Sequence, residues 1–299
     1  MAYEELRQEL VDSLIARDFL QSPAIIQAMR EVPRHLFVTA SPETAYADEA
    51  VRIKQENHRV ISTISQPSIV AYMLEQLEVN AACKVMEIGA GLGYNAALLS
   101  RLTGPHGQVY SIEYDGELAT RASQNLSSYE NVSVIQGDGR RGWPAQAPYD
   151  RIIATVTASE IYPAWREQLA AGGLILTPLE YCPGFTRLLK LKQTKAGLAG
   201  RFGLAVNFVS MAGEESRQSM EVDEIAAFLC AKQNLPYRDA ESFLFFCLCC
   251  QQSLETALER WRELGRPRPE DFEVQAEPHR LRLVLGSTEL GLSLPHTII

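Results

Sequence analysis

From residue 68 onward, short apolar runs alternate with amphipathic segments. The apolar runs are "CKVMEIGAG", "GQVYSIEYD", "NVSVIQGDG", "YDRIIATV" and "GGLILTPL". Each is apolar on consecutive positions, which is typical of strands buried on both faces. The intervening segments are "SIVAYMLEQLEV", "YNAALLSRLTG", "GELATRASQNLSSY" and "YPAWREQLAA", and their helical spacing of apolar residues predicts helices. This alternation predicts an α/β fold, a mostly parallel sheet with helices on both faces.

The residues before this region follow a different pattern. Leu6, Leu10 and Leu14 recur at helical spacing, and a second helix is predicted over "SPAIIQAMREV", with Ser22 as N-cap and Pro23 at its first position. "VPRHLFV" ends that helix. The polar stretch "SPETAYADEAVRIKQENHRVIST" then predicts a loop with short extended pieces.

The C-terminal third is again different in character. "FTRLLKLKQ" and "GRFGLAVNFVSM" lie close together and predict an antiparallel pair. The acidic stretch "AGEESRQSMEVDE" resembles a linker. Helices are predicted over "EIAAFLCAKQ", "ESFLFFCLCC" and "LETALERWRELG", and strands over "DFEVQAE" and "HRLRLVLGSTELGLSL". We therefore predict an N-terminal segment (1–66), an α/β core (67–212) and a small α+β C-terminal appendage (220–299).

Charge and composition exclude several classes of protein. The net charge of −9 over 299 residues argues against a nucleic-acid partner, which would need a basic surface. No apolar run is long enough to span a membrane, and the charged N-terminus does not resemble a signal peptide, so we expect a cytoplasmic protein. The cysteines of "FLFFCLCCQQ" have no neighbouring histidine and are embedded in Phe and Leu, which favours buried, reduced thiols over a metal site.

A glycine turn follows the first apolar strand. In "VMEIGAGLGY", Gly89, Gly91 and Gly93 leave a strand and begin a helix, which would let the backbone approach a ligand closely. The dinucleotide pattern GxGxxG needs its last glycine at position 94, which is Tyr94. The sequence therefore does not fit a nicotinamide site.

Three acids at strand ends indicate another ligand. Glu113 ends the second strand, where a carboxylate can accept both hydroxyls of a ribose. Asp138 ends the third strand, at the level of an adenine amino group, and Glu87 adds negative charge beside the turn. S-adenosylmethionine has a ribose, an adenine and a positive charge but no phosphates, and it fits this set. The alternative is that Glu113 and Asp138 are helix N-caps in an unrelated α/β fold.

Several segments occur in an order that is specific to one family. They are "AMREVPRHLFV", "AYADEA", "TISQPSIVAYMLEQL", "VMEIGAGLGYNAALLSRL", "VYSIE", "NVSVIQGDGRRGW", "APYDRIIATVTASEIYPAWREQLAAGGLILTPL" and "FVSM". Together they resemble the protein-L-isoaspartate O-methyltransferases from before residue 30 to about residue 211. The resemblance implies a Rossmann-like class I methyltransferase fold and methyl transfer from S-adenosylmethionine to an isoaspartyl or aspartyl carboxylate of a protein or peptide. The methyl ester can then collapse to a succinimide.

The resemblance also implies roles for individual residues. Ser65 matches the active-site serine, whose hydroxyl would donate to the substrate carboxylate; capping of the next helix is the alternative for Ser65 or Ser68. A carboxylate is already a nucleophile at neutral pH, so no general base is expected. The expected cofactor-binding residues are Gln66, Pro67, Ser68, Glu87, Gly89, Gly91, Glu113, Asp138 and Gly139. The expected substrate-binding residues are Thr155, Thr157, Arg52 and His58, with exposure to solvent as the alternative for Arg52.

The appendage leaves the substrate open. It could form a homodimer, cover the active site, or recognise a dedicated peptide. The first alternative function is therefore a methyltransferase for an aspartate or C-terminal carboxylate of a biosynthetic precursor peptide. The second is a non-catalytic cofactor-binding or peptide-binding scaffold, which would predict a broken cofactor turn, whereas Gly89, Gly91, Glu113, Asp138 and Ser65 are all present.

Overall fold

The computed structural model describes residues 3–182, 185–212, 237–250, 254–277 and 280–293. These residues form two compact units. The first comprises the described residues of Met1–Val156, Tyr162–Leu176 and Phe208–Gly213, and the second comprises those of Thr157–Ile161, Thr177–Asn207 and Glu214–Ile299. The division into 1–66, 67–212 and 220–299 stays a prediction.

The first unit contains the predicted strand–helix alternation. Its helices are α1 (Tyr3–Ala16), α2 (Pro23–Glu31), α3 (Pro42–Tyr46), α4 (Pro67–Leu77), α5 (Tyr94–Thr103), α6 (Gly116–Asn125) and α7 (Pro163–Glu167). Its strands are β1 (Val51–Glu56), β2 (Arg59–Ile64), β3 (Lys84–Ile88), β4 (Gln108–Glu113), β5 (Val132–Gln136), β6 (Tyr149–Ala154) and the first part of β7 (Leu169–Cys182).

The central sheet of this unit is parallel. Its strand order is β7-β6-β3-β4-β5, and every neighbouring pair in it runs parallel. The strands are apolar because the sheet is buried: Val85, Val109 and Ile152 are all 0% exposed. The chain moves outward from β3 through β4 to β5 and then returns to the other side of β3 with β6. This reversal creates a topological switch point between β3 and β6.

Two local predictions for this unit need correction. The helix predicted over 162–171 ends at Glu167, because Leu169 already pairs with Tyr149 in the sheet. The stretch predicted as a loop with short extended pieces contains a β-hairpin, in which β1 pairs antiparallel with β2. Its two turn residues, Asn57 and His58, have φ of 48° and 65°, as two-residue hairpin turns require.

The second unit is α+β, as predicted for the C-terminal part. Its antiparallel strands are β8 (Phe185–Thr194), β9 (Gly197–Ala205), β10 (Glu273–Glu277), β11 (Arg280–Leu285) and β12 (Thr288–Ser293), and its helices are α8 (Tyr237–Cys250) and α9 (Leu254–Glu263). The predicted β8–β9 pair is confirmed. Trp261 is 1% exposed, and its indole Nε1 donates to the carbonyl oxygen of Pro267 at 3.0 Å.

Other predictions concern cysteines and segments that lie partly outside the described residues. The linker-like stretch at 212–224, apart from its first residue, and the helix predicted over "EIAAFLCAKQ" lie outside them, as does Cys230. Cys83 is a free cysteine, and Cys249 is buried. Within the described ranges there is no cluster of metal-ligating side chains, and no helix is long and apolar enough to cross a membrane.

Candidate active site

The glycine turn lies at the switch point between β3 and β6. Gly89 follows β3, and Thr155 follows β6. The Thr155 hydroxyl donates to the carbonyl oxygen of Gly89 at 2.6 Å, and the Thr155 amide donates to Ile88 at 2.9 Å. Ligands of open α/β sheets bind at such a position, beyond the carboxyl ends of the strands.

The three glycines of the turn serve different purposes. A Cβ on Gly89 would lie 2.7 Å from Thr155 Oγ1, and a Cβ on Gly93 would lie 2.7 Å from Leu126 Cδ1, so both are required for packing. At Gly91, with φ of 55°, the nearest atom to such a Cβ is Ser62 Oγ at 3.8 Å. Gly91 is therefore the glycine with space beside it for a ligand.

Glu113 is held at the end of β4 by two backbone donors. The amide of Gly91 donates to Glu113 Oε2 at 2.8 Å, and the amide of Asp115 donates to Oε1 at 3.1 Å. Burial raises the pKa of Glu113, although these backbone hydrogen bonds act in the opposite direction. Each carboxylate oxygen keeps acceptor capacity for a further hydrogen bond. This arrangement fits a ligand with two neighbouring hydroxyls, such as the ribose of S-adenosylmethionine.

Asp138 lies at the predicted strand end and is ion-paired. Arg140 Nε and Nη2 approach its carboxylate to 2.9 and 2.8 Å, and the Arg140 amide donates to Asp138 Oδ1 at 3.0 Å. The hydrogen bond from the Arg140 side chain lowers the pKa of Asp138. The next residue, Gly139, accepts a 2.8 Å hydrogen bond from the indole of Trp165, and a Cβ there would lie 2.3 Å from Ile88 Cγ2. Gly139 thus permits close packing beneath the site.

Glu87 lies beneath the turn rather than on its surface. Its side chain is completely buried and accepts hydrogen bonds from Asn95 Nδ2, at 2.8 Å, and from the Ser111 hydroxyl. Burial raises the pKa of Glu87 to about 7, while both hydrogen bonds act to lower it and nearby Glu113 raises it further. The carboxylate links β3 to α5 and β4, which favours support of the turn over direct contact with a cofactor.

Ser65 lies between the hairpin and α4. It follows β2 directly, is half-buried, and its hydroxyl has no hydrogen-bond partner in the described part of the chain. Gln66 is the N-cap residue of α4, and Pro67 is its first residue. A hydroxyl that is neither satisfied by the protein nor fully buried is available to a substrate carboxylate.

Asp48 caps α4, whereas the sequence suggests Ser65 or Ser68 for this role. The Ser68 amide donates to Asp48 Oδ1 at 2.7 Å, whereas Gln66 Nε2 and Arg17 Nη2 approach Oδ2 at 3.4 and 2.9 Å. Burial alone would raise the pKa of Asp48, but these donors lower it. Asp48 lies in "AYADEA", one of the segments that resemble the family. That segment alone does not indicate that the Asp48 side chain caps α4.

The structure distributes the expected substrate residues over several places. Arg52 is exposed on β1, opposite Thr63 of β2, and His58 is exposed at the hairpin turn. Thr155 contacts the glycine turn, as described above. Thr157 is buried and is part of the second unit. The structure therefore brings Thr155 to the glycine turn, whereas His58 lies at the hairpin tip.

Comparisons with known proteins identify the family of this chain. A family model described as protein-L-isoaspartate(D-aspartate) O-methyltransferase matches residues 4–216. A protein-L-isoaspartate O-methyltransferase of Ignicoccus hospitalis is 41% identical over 215 residues, which cover 71% of this chain and all of that protein. A protein-L-isoaspartate O-methyltransferase 2 of Archaeoglobus fulgidus is 36% identical over 226 residues, again over its full length.

Solved structures show the same fold. One described as a protein-L-isoaspartate O-methyltransferase superposes with a TM-score of 0.65 at 26% identity and covers 96% of this chain and 87% of its own. A putative Plasmodium falciparum protein-L-isoaspartate O-methyltransferase, in complex with S-adenosyl-L-homocysteine, gives a TM-score of 0.61 at 20% identity over 70% of this chain and 99% of its own. The predicted class I methyltransferase fold is confirmed, and the chain belongs to the protein-L-isoaspartate(D-aspartate) O-methyltransferase family.

Proposed function

We propose that this protein transfers a methyl group from S-adenosylmethionine to the free carboxylate of isoaspartyl residues in proteins and peptides. The observation that supports this most directly is the pairing of two features in the first unit. Glu113 is fixed beneath Gly91 with acceptor capacity left over, and Ser65 presents a hydroxyl that has no hydrogen-bond partner among the described residues. Family membership supplies the reaction class, and these residues supply groups that fit it.

The proposed cofactor site consists of residues around the glycine turn. Glu113 would accept the ribose hydroxyls, Gly91 would let the backbone approach closely, and Asp138 would accept the adenine amino group. Both oxygens of Asp138 already meet Arg140, so adenine would share this carboxylate with the guanidinium. The remaining proposed cofactor residues, with direct or supporting roles, are Gln66, Pro67, Ser68, Glu87, Gly89 and Gly139.

Methyl transfer to a carboxylate requires the protein mainly to position the two reacting groups. When bound, S-adenosylmethionine supplies a methyl group on a positively charged sulfur, and a carboxylate oxygen takes that methyl group while the sulfur becomes a neutral thioether. The Ser65 hydroxyl would donate to one carboxylate oxygen and so orient the other. The carboxylate is already deprotonated and the Ser65 hydroxyl keeps its proton, so no general base is needed. Catalysis therefore depends on alignment and on exclusion of water.

A serine-to-alanine pair tests the role of Ser65. In Ser65→Ala we expect kcat for an isoaspartyl peptide to fall by roughly ten-fold to a thousand-fold, since loss of the positioning hydrogen bond would misalign the attacking carboxylate oxygen, and a misplacement of about 1 Å can cost about a hundred-fold. The dissociation constant of S-adenosylhomocysteine should stay within about two-fold, because Ser65 lies outside the cofactor residues. Ser128→Ala, at an exposed position, is the matched control. Near-normal turnover in Ser65→Ala would refute the assignment.

The precursor-peptide alternative depended on the C-terminal extension. A solved structure described as a protein-L-isoaspartate O-methyltransferase covers 96% of this chain, so an extension is compatible with that activity. Isoaspartyl repair is therefore our leading proposal. A methylation assay on paired peptides, one with isoaspartate and one with normal aspartate, together with any genomically adjacent precursor peptide, tests it; preference for the precursor would overturn it.

We also propose a cytoplasmic location and a homodimer formed through residues 220–299. The free thiol of Cys83 supports a reducing compartment. Cell fractionation tests the location. Light scattering on the full chain tests the oligomer, and a monomeric mass at micromolar concentration would refute it.

A further inference from the structure

We propose that Lys54 is a positioning residue that joins the substrate side of the active site to its cofactor side. Its ammonium group ties the β1–β2 hairpin, which leads into Ser65, to the acidic start of α6, which follows Glu113. The names substrate side and cofactor side rest on the proposed function. The contact between the Lys54 ammonium and the start of α6 does not depend on it.

Lys54 meets three carboxylates. Its Nζ lies 2.6 Å from Asp115 Oδ2, 3.1 Å from Glu117 Oε2 and 3.5 Å from Glu56 Oε1. The hydrogen bond to Asp115 raises the pKa of Lys54, and the hydrogen bond from Lys54 lowers the pKa of Asp115. Asp115 and Glu117 belong to the start of α6, whereas Glu56 is on the hairpin itself. The ammonium therefore connects the two elements.

Asp115 connects Lys54 to Glu113, on the cofactor side. Its Oδ1 accepts hydrogen bonds from the amides of Glu117 and Leu118, both at 3.0 Å, and thereby caps α6. Its own amide donates to Glu113 Oε1 at 3.1 Å. One residue thus meets Lys54 through one carboxylate oxygen, fixes the helix through the other, and orients Glu113 through its backbone.

The hairpin connects Lys54 to Ser65, on the substrate side. Lys54 pairs with Ser62 across the hairpin, and Val51 pairs with Ile64, the residue before Ser65. The register shifts on both sides of Lys54, a local irregularity that redirects side chains and is frequent beside active sites. Ser62 Oγ lies 3.8 Å from where a Cβ on Gly91 would be, so the hairpin lies next to the glycine turn.

The experiment compares Lys54→Met with Lys54→Arg and with Lys195→Met. Lys195 is an exposed lysine in the turn between β8 and β9, so its substitution removes the same charge without touching the site. Three quantities are measured on the full chain: hydrogen exchange of the amides of residues 51–64, the dissociation constant of S-adenosylhomocysteine, and kcat and KM for an isoaspartyl peptide.

In Lys54→Met we expect faster hairpin exchange, a weaker S-adenosylhomocysteine complex and a lower kcat, each by about two- to five-fold, the range of a partly exposed ion-pair cluster. Lys54→Arg should restore most of each loss. Raising salt to about 0.5 M should bring the wild type toward Lys54→Met, since screening weakens the ion pairs. Wild-type values for all three quantities in Lys54→Met, or losses equal to those in Lys195→Met, would overturn the inference.

The test separates this inference from the proposed function. If the wild type does not methylate the isoaspartyl peptide, the proposed function fails, while hairpin exchange and S-adenosylhomocysteine binding still report on Lys54. If the wild type is active and Lys54→Met changes only kcat, with exchange and binding unchanged, the connection to the cofactor side is refuted.

Discussion

The buried carboxylate of Glu87 makes the stability of the first unit depend on pH in a specific way. Burial raises the pKa of Glu87 to about 7 from an ordinary value of 4.5. Between these two pH values the folded chain binds more protons at this site than the unfolded chain does, so stability falls as pH rises. The stabilising contribution is complete below about pH 4.5 and is lost once pH has risen through about 7.

The structure gives the size of the effect. At 1.36 kcal/mol for each unit of pKa difference, the interval from 4.5 to about 7 corresponds to a change of at most about 3.4 kcal/mol in the free energy of unfolding. In Glu87→Gln the group no longer titrates. The amide can still accept from Asn95 and donate to the Ser111 hydroxyl, because that hydroxyl can rotate. We therefore expect Glu87→Gln to match the wild type near pH 4.5 and to exceed its stability by about 2 to 3 kcal/mol near pH 8.

Thermal unfolding of both proteins across this pH range is the assay, because the difference between them cancels the titration of groups that do not interact with Glu87. The expected gain in Tm near pH 8 is about 4 to 12 °C for a unit of this size. Glu130→Gln, which makes the same substitution at an exposed position, is the matched control. A Tm difference that does not change with pH, or a Glu87→Gln variant that is less stable near pH 8, would refute the reasoning.

Three further predictions concern the neighbouring elements. Glu113→Gln should weaken S-adenosylhomocysteine binding by about ten- to a hundred-fold in calorimetry, because hydrogen bonds to a charged acceptor are lost. Gly93→Ala should lower Tm more than Gly172→Ala: both glycines have positive φ, but only at Gly93 would the new Cβ meet a side chain. Asp48→Ala should cost about 1 kcal/mol in free energy of unfolding through loss of the α4 cap. It should also lower kcat, whereas Asp48→Asn should retain most of the stability and most of kcat.

The sequence predicts the central sheet well because each parallel strand is an apolar run followed by a helix within a few residues. The same reasoning does not find contacts between residues that are distant in the sequence. Asp48 caps a helix that begins about twenty positions later, and Lys54 pairs with Asp115 about sixty positions later. Neither residue type is unusual for a polar loop, so nothing in the local pattern distinguishes them.

The hairpin shows a second kind of limit. Its strands contain mostly polar residues, so the alternation that marks a half-buried strand is weak, and the turn at Asn57 and His58 lacks the glycine that usually indicates a two-residue turn. For the glycine turn, the pattern correctly places the residues at a strand end. It does not distinguish Gly91, which leaves space, from Gly89 and Gly93, which are needed for packing.

The hydrogen bond from the Trp165 indole to the carbonyl oxygen of Gly139 gives the protein a built-in optical reporter. Trp165 is 0% exposed and contacts the backbone of Gly139, the residue after Asp138. Its fluorescence should therefore respond when the Asp138 carboxylate gains or loses a partner. The other two tryptophans are Trp143 and Trp261. A variant with phenylalanine at both of those positions would leave a single emitter at the floor of the site, and cofactor entry could then be followed in real time without a label.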